Sequence, residues 1–160
     1  MDLILWRHAE AEDFASSDLA RRLTPHGEQQ ARRMATWIRS QLGNLSKPAS
    51  QWRVIASPAV RTQQTAAALG MSMETIHSIA PDAPADAILR AADWPRGAAN
   101  VIVVGHQPTL GLVVGRLING AEGYVSVKKA AVWWFRERQR DGESKVVLVA
   151  MATPESVADL

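Results

Sequence analysis

The stretch LILWRH at residues 3–8 decides how this sequence folds. Its four apolar residues predict a short buried strand, which is followed at once by the cation Arg7 and the nucleophile His8. In open α/β sheets the carboxyl ends of the strands carry the ligand-binding crevice. The position of this pair therefore predicts a functional site, and its chemistry indicates phosphate.

Two later segments repeat this arrangement of an apolar run followed by polar chemistry. VIASPAVR at residues 54–61 ends in Arg61, and VIVVGH at residues 101–106 ends in His106. Because the carboxyl ends of parallel strands meet at one edge of a sheet, we expect these groups to join the first pair. Three strand ends then offer two arginines and two histidines.

Length and composition are those of one globular domain spanning residues 1–160. The chain is 47% hydrophobic and 21% charged, which is enough for a real core. Its formal charge is only +2, and no aromatic interleaving accompanies its basic clusters, so we expect no nucleic-acid partner. These clusters are interpreted as mostly solvated surface. They are Arg21-Arg22, Arg32-Arg33 and Lys128-Lys129.

Several kinds of chemistry are excluded by what the sequence lacks. It contains no cysteine, which rules out disulfides, thiolate catalysis and cysteine-based zinc sites. Its four histidines show no short ligand spacing, so we expect no metal, and no other cofactor motif occurs. Neither a signal-peptide core nor a run of about 18 apolar residues is present. These absences predict a cytoplasmic protein with no cofactor and no membrane association.

The order of predicted elements indicates a three-layer α/β/α sandwich with a mostly parallel central sheet and an antiparallel edge. Strands alternate with helices over the first two thirds of the chain. Two strands, at residues 130–135 and 145–152, then follow around a charged turn. The α/β fold class rests on this alternation.

Capping signals mark the ends of two helices. Thr24 precedes a proline and begins a helical pattern that ends at Gly43. Ser57 is predicted to cap a second helix, which Pro58 opens and Gly70 closes. The second helix begins directly after a strand, so its amino end should face the site.

A phosphoryl dianion needs fixed positive groups, and arginine forks match its oxygens. Arg7 and Arg61 are the candidates, and Arg61 lies near the amino end of the second helix, where backbone donors also favour an anion. The two guanidinium ions disfavour a charged His8, which leaves a neutral ring able to act as nucleophile. His106 would donate to an oxygen of the transferring group. The predicted catalytic set is therefore His8, His106, Arg7 and Arg61.

Four segments resemble, in the right order, the signatures of the histidine phosphatase superfamily, whose fold is phosphoglycerate mutase-like. They are LILWRHAE at residues 3–10, LTPHG at 23–27, SPAVRTQQT at 57–65 and GHQP at 105–108. The short chain, without an inserted cap domain, is similar to the SixA-type phosphohistidine phosphatases of this superfamily. One departure is Ala9, which stands where the superfamily usually has glycine.

This resemblance implies a mechanism and two further site residues. His8 would become phosphorylated and then be hydrolysed by water, with the two arginines and the second histidine around the phosphate and no metal. Asp18 followed by Arg21 resembles a recurring SixA-type pattern, so both are candidate substrate-binding residues.

The general acid distinguishes two substrate classes. Many superfamily members that cleave phosphate esters carry a glutamate after the second helix, whereas residues 79–86 offer only Asp82 and Asp86. An alkoxide leaving group needs a proton from the enzyme, while the imidazole of a phosphohistidine needs less help. The missing glutamate therefore favours an N–P substrate.

Three functions fit these residues. The first is a phosphohistidine phosphatase in signal transduction, whose partner is a phosphohistidine-bearing protein such as a phosphotransfer domain. The second is a phosphatase for a small phosphate ester, such as a sugar phosphate, with Asp82, Asp86 or Asp18 as the acid. The third is a non-catalytic phosphate-binding regulatory module, which the presence of both His8 and His106 disfavours.

Overall fold

The computed structural model describes residues 1–44, 51–120 and 123–157. This part of the chain forms a six-stranded sheet with four α-helices. The strands are β1 (Asp2–Arg7), β2 (Trp52–Ala56), β3 (Met73–Thr75), β4 (Asn100–Gly105), β5 (Val132–Arg140) and β6 (Glu143–Ala152). The helices are α1 (Pro25–Gly43), α2 (Val60–Ala67), α3 (Ala85–Ala91) and α4 (Thr109–Asn119). None of these helices is long and apolar enough to cross a membrane.

The sheet has the strand order β3-β2-β4-β1-β5-β6. The first four strands in this order pair in parallel, whereas β5 pairs antiparallel with β1 and β6 antiparallel with β5. The last two strands therefore form the predicted antiparallel edge, and both run further toward their connecting turn than the sequence pattern indicated.

Two apolar layers cover the sheet, one on each face. Successive side chains of a strand point to opposite faces. In β1, Ile4 and Trp6 pack in the layer that contains α1, while Leu3 and Leu5 pack in the layer that contains α4. A strand that is buried on both faces is a continuous apolar run, which is why this one was recognisable. The predicted α/β fold of three layers is confirmed.

The pairing register brings three strand ends to the same edge of the sheet. Arg7 of β1 lies opposite Gly105 of β4, and Ala56 of β2 lies opposite Val104 of β4. The residues that directly follow these strands therefore emerge side by side.

The start of α1 is tied to the loop that follows β1. The Thr24 hydroxyl accepts a hydrogen bond from the Gly27 N–H at 2.9 Å and donates one to the Glu10 carboxylate at 2.7 Å. Glycine is required here, because a Cβ at Gly27 would lie 1.9 Å from the Glu10 carbonyl oxygen. The predicted helix start at Thr24 is confirmed, and the helix ends at Gly43 as expected.

The second helix differs from the prediction. It spans Val60–Ala67 rather than residues 58–70, and its N-cap is Ala59, without a side-chain hydrogen bond. The prediction that Ser57 caps this helix was wrong. Its hydroxyl accepts a hydrogen bond from the Ala59 N–H at 3.2 Å and lies 2.7 Å from a ring nitrogen of His106. The hydroxyl that the local pattern assigned to the helix is therefore hydrogen-bonded to His106, which is distant in sequence.

Candidate active site

The carboxyl edge of the sheet holds a cavity of about 310 Å³. All six residues that the sequence predicted as catalytic or substrate-binding line it, namely Arg7, His8, Asp18, Arg21, Arg61 and His106. The other lining residues are Ala11, Asp13, Pro81, Asp82, Gln107 and Lys129. The fold thus brings these six residues to one place.

His8 is a buried, neutral imidazole. It is 7% exposed, and its Nδ1 lies 2.7 Å from the carbonyl oxygen of Ala9. Because a carbonyl only accepts, Nδ1 carries the ring hydrogen and Nε2 keeps a free lone pair. Burial, together with the nearby charges of Arg61 and Arg7, lowers the pKa of His8 to about 4. The ring is therefore uncharged at neutral pH, as a nitrogen nucleophile must be.

His106 is oriented by a serine. Its Nε2 lies 2.7 Å from Ser57 Oγ, which already accepts a hydrogen bond from the Ala59 N–H. Ser57 is fully buried, and the ring nitrogen of His106 is the one acceptor within reach of its hydroxyl among the described residues. The hydroxyl therefore donates its hydrogen to Nε2, and the neutral ring carries its own hydrogen on Nδ1. Burial, with the neighbouring His8 and the charge of Arg61, lowers the pKa of His106 to about 3. His106 is thus a neutral donor, and its ring centroid lies 5.3 Å from that of His8.

Three buried nitrogen atoms of this cavity have no hydrogen-bond partner within the described residues. They are Arg7 Nε, Arg61 Nε and His106 Nδ1, and only one other buried side-chain atom in the described ranges shares this property. The two guanidinium groups are anchored elsewhere, since Arg7 Nη1 donates to the Val127 carbonyl and Arg61 Nη1 to the Asp18 carbonyl, each at 2.8 Å. A buried donor without a partner is costly, so this cluster marks a site for an anion.

Asp18 supports Arg61 from a short 3-10 helix, Asp18–Ala20. Its carboxylate lies 3.1 Å from Arg61 Nη2 and 3.1 Å from Arg21 Nη2. Burial would raise the pKa of Asp18, but the hydrogen bonds and charges of the two arginines hold it below its ordinary value. Arg21 also donates to the Glu12 carbonyl at 3.1 Å. Both residues are therefore committed to contacts within the protein, and their binding of substrate stays a prediction.

The structure separates the candidate acids of the segment after α2. Asp82 lines the cavity and has a left-handed backbone, with φ 69°. Asp86 lies outside the cavity, in the first turn of α3, where it forms an ion pair with Arg116. Asp82 alone of this pair is in a position to serve the site.

The predicted catalytic and substrate-binding residues did not include Lys129, Asp13 and Gln107, which also line this cavity. Lys129 was interpreted as solvated surface, and it is exposed, but it also lines the cavity. It reaches the site because β5, which follows it, pairs with β1, and no local pattern predicts that pairing. Asp13 and Gln107 could have been included, since they lie close in sequence to the two histidines.

A mostly parallel α/β sheet that carries two neutral histidines and two anchored arginines at its carboxyl edge is an arrangement typical of phosphoryl-transfer enzymes. The chain belongs to the histidine phosphatase superfamily (branch 1), whose family model matches residues 3–82. It is a phosphatase, and therefore a hydrolase.

The comparison with individual proteins agrees with this assignment. The phosphohistidine phosphatase SixA homolog of Haemophilus influenzae is 28% identical over 167 residues, which cover 96% of this chain and 97% of that protein. Phosphohistidine phosphatase SixA of Escherichia coli is 30% identical over 128 residues, covering 75% and 76%. A solved structure of the protein histidine phosphatase SixA complexed with tungstate is 25% identical, with a TM-score of 0.76 over 96% of this chain and 97% of that one. The predicted resemblance to SixA is confirmed.

Proposed function

We propose that this phosphatase hydrolyses the N–P bond of a phosphohistidine on a protein, through a phospho-His8 intermediate. The observation that carries the proposal is a neutral His8 with a free Nε2 lone pair in the same cavity as three unpartnered buried donors. A nitrogen nucleophile and a fixed set of donors for the phosphoryl oxygens are the two parts that this chemistry needs.

The reaction consists of two displacements at phosphorus. In the first, His8 Nε2 bonds to phosphorus while the bond from phosphorus to the substrate imidazole breaks, and that imidazole takes up a proton from solvent. In the second, water forms a new P–O bond, the bond to Nε2 breaks, and inorganic phosphate leaves. Overall, one water molecule supplies the proton gained by the substrate histidine and the oxygen that departs with phosphate.

The remaining residues stabilise the charge of the transferring group. Arg7 and Arg61 direct their unpartnered Nε–H groups to its oxygens, and His106 donates through Nδ1–H without adding a charge of its own. Loss of one such transition-state donor typically lowers kcat by about 10²- to 10³-fold. Asp18 holds Arg61 by two contacts and so acts as a positioning residue.

Two exposed apolar residues next in sequence to cavity residues support a protein as the substrate. Phe14 is 90% exposed and Leu19 is 45% exposed, and each directly follows an aspartate that lines the cavity. Burying such side chains against a partner is favourable, and a protein substrate offers the surface to do so. The similarity to two proteins named as phosphohistidine phosphatases supports the same substrate class.

A small phosphate ester is the second candidate substrate, and the position of Asp82 favours it. An alkoxide such as that of a sugar needs protonation as it leaves, and Asp82 is a carboxyl group on the cavity wall. The missing glutamate therefore does not by itself decide between the two substrate classes, and rates on both must be compared.

The decisive experiment maps the phosphorylated residue. The protein is mixed with a phosphotransfer domain that carries radiolabelled phosphohistidine, quenched in alkali within milliseconds, and digested to locate an alkali-stable, acid-labile label. We expect label on His8 and none in His8→Ala. His26→Ala serves as the control, because His26 is an exposed histidine outside the cavity.

Two results would contradict the proposal. One is label on a residue other than His8. The other is a kcat/KM on any member of a sugar phosphate panel that exceeds the value on the phosphorylated domain, which would favour the ester phosphatase.

A further inference from the structure

Lys129 is a cation of the cavity that the proposed mechanism does not use. It is exposed and lines the cavity, whereas its neighbour Lys128 is exposed but does not line it. Within the described residues Lys129 has neither a hydrogen bond nor an ion pair, unlike the other three cations of the cavity wall. A lysine that faces a site without a partner of its own is available to a ligand.

The backbone around Lys129 is fixed to the nucleophile. The Ala130 N–H donates to the His8 carbonyl at 3.1 Å, and the Arg7 N–H donates to the Ala131 carbonyl at 3.1 Å. The indole of Trp6 adds a third bond, from its Nε1 to the Ala130 carbonyl at 3.0 Å. The backbone next to Lys129 is therefore held at a constant place relative to His8, although the two residues are far apart in the chain.

Ala130 adopts a left-handed backbone, with φ 62°, and is fully buried. This conformation is unfavourable for a residue with a Cβ, and it persists only where the surroundings impose it. Here the bonds to β1 impose it, and the reversal that it produces in the chain places Lys129 on the cavity wall. The strain thus lies at the residue that positions this lysine.

The transferring phosphoryl group has its own set of donors, which are buried nitrogens of Arg7, Arg61 and His106. Lys129 differs from them because it is exposed. Arg21, the remaining cation of the cavity wall, is already held in an ion pair. The neighbourhood of Lys129 is consequently where a second anionic group of the substrate would be accepted.

We propose that Lys129 binds a carboxylate of the substrate that lies next to the phosphohistidine, and so makes the enzyme prefer phosphohistidines with acidic neighbours. The proposal rests on the proposed phosphohistidine phosphatase function and names the sequence context that this function selects. Exposed ion pairs are weak, so the preference is modest, about threefold to fivefold in kcat/KM at low salt. It diminishes at about 1 M salt because the charges are then screened.

The test compares two chemically phosphorylated peptides that differ only in the residues flanking the phosphohistidine. One peptide has glutamate on both sides and the other has glutamine. We expect the wild-type protein to favour the glutamate peptide, Lys129→Gln to bring the ratio of the two kcat/KM values to about one, and Lys128→Gln to keep the wild-type ratio. The ratio within each variant cancels any general loss of folded enzyme.

Each other outcome overturns the proposal in a recognisable way. A wild-type ratio of one, or a preference that survives Lys129→Gln, shows that Lys129 does not select the neighbouring group. An equal, large loss on both peptides in Lys129→Gln, with a circular dichroism spectrum like that of the wild-type protein, assigns the lysine to the transferring phosphoryl group instead. Failure of the proposed function looks different, since the wild-type protein then hydrolyses neither peptide and acquires no label on His8.

Discussion

Ser57 Oγ lies 2.7 Å from Nε2 of His106, although the two residues are 49 positions apart in the chain. They meet because β2 and β4 pair in parallel and end at the same edge, where the Ser57 N–H also donates to the Val104 carbonyl at 3.2 Å. Both side chains are buried. The contact leaves the ring hydrogen of His106 on Nδ1, so it determines which atom can donate to phosphate.

Removing the hydroxyl of Ser57 is therefore expected to impair the chemical step. In Ser57→Ala the ring of His106 can exchange tautomers, and kcat on phosphoramidate should fall by up to about 10²-fold, the loss associated with one transition-state donor. Steady-state kinetics measure this effect. Ser57→Thr, which keeps a hydroxyl, should recover most of the rate, and an unchanged kcat in Ser57→Ala would refute the orienting role.

Stability should depend on pH through the two buried histidines. Their pKa values are about 4 for His8 and about 3 for His106, against about 6.5 for a histidine in the unfolded chain. Between pH 6.5 and about 4 the unfolded state binds more protons, so the free energy of unfolding falls as the pH is lowered through this interval. Each histidine contributes at most about 1.4 kcal/mol per pH unit.

Urea unfolding at pH 7 and pH 5 tests this expectation. The His8→Asn variant should lose less stability between the two pH values than the wild-type protein, because one of the two titrating groups is gone. Equal losses in both proteins would show that His8 keeps its ordinary pKa in the folded state.

Asp18 should support phosphate binding despite its negative charge. Its carboxylate holds Arg61 at 3.1 Å. Asp18→Asn is therefore expected to weaken inhibition by inorganic phosphate several-fold, which is the size of effect that losing a hydrogen bond to a buried charged group produces. Asp13→Asn is the matched control, because Asp13 lines the same cavity and forms no ion pair with any described residue. Removal of its charge should leave phosphate inhibition equal or stronger. If both variants bind phosphate more tightly, Asp18 acts only through its charge.

Phe14 should contribute to recognition of a protein substrate. It is 90% exposed and directly follows Asp13 of the cavity wall, and truncating a residue on which an interface depends lowers affinity about fivefold or more. In Phe14→Ser we expect kcat/KM to fall on a phosphorylated phosphotransfer domain. On phosphoramidate, a small phosphoryl donor, kcat/KM should fall less. Ile118→Ser is the control, since Ile118 is also exposed but lies in the last turn of α4. Equal falls on both substrates in Phe14→Ser would argue against a docking role.

The elements of the fold could be predicted largely from local patterns, and the exceptions have local causes. The apolar runs of β1 and β4 are continuous because both faces of these strands are buried, and the cap at Thr24 lies next to the helix that it begins. The prediction failed at Ser57. The local sequence is typical of a helix cap, but in the fold the same hydroxyl is hydrogen-bonded to His106. Local rules assume that no distant partner competes.

The sequence by itself determined which charged and titratable residues meet in the cavity. Arg7, His8, Arg61 and His106 follow apolar strands or open a helix, and the parallel arrangement of such strands brings their ends together. These features are readable because each depends on neighbours along the chain. The strand order and the family signatures then agree on one phosphatase fold.

Only the tertiary structure decided which contacts orient and hold those side chains. The serine that orients His106, the aspartate that holds Arg61 and the lysine beside His8 are all distant in sequence from the groups that they serve. Their contacts depend on sheet register and on the antiparallel return of β5 to β1. Such pairings are set by packing of the whole chain, so no local pattern encodes them.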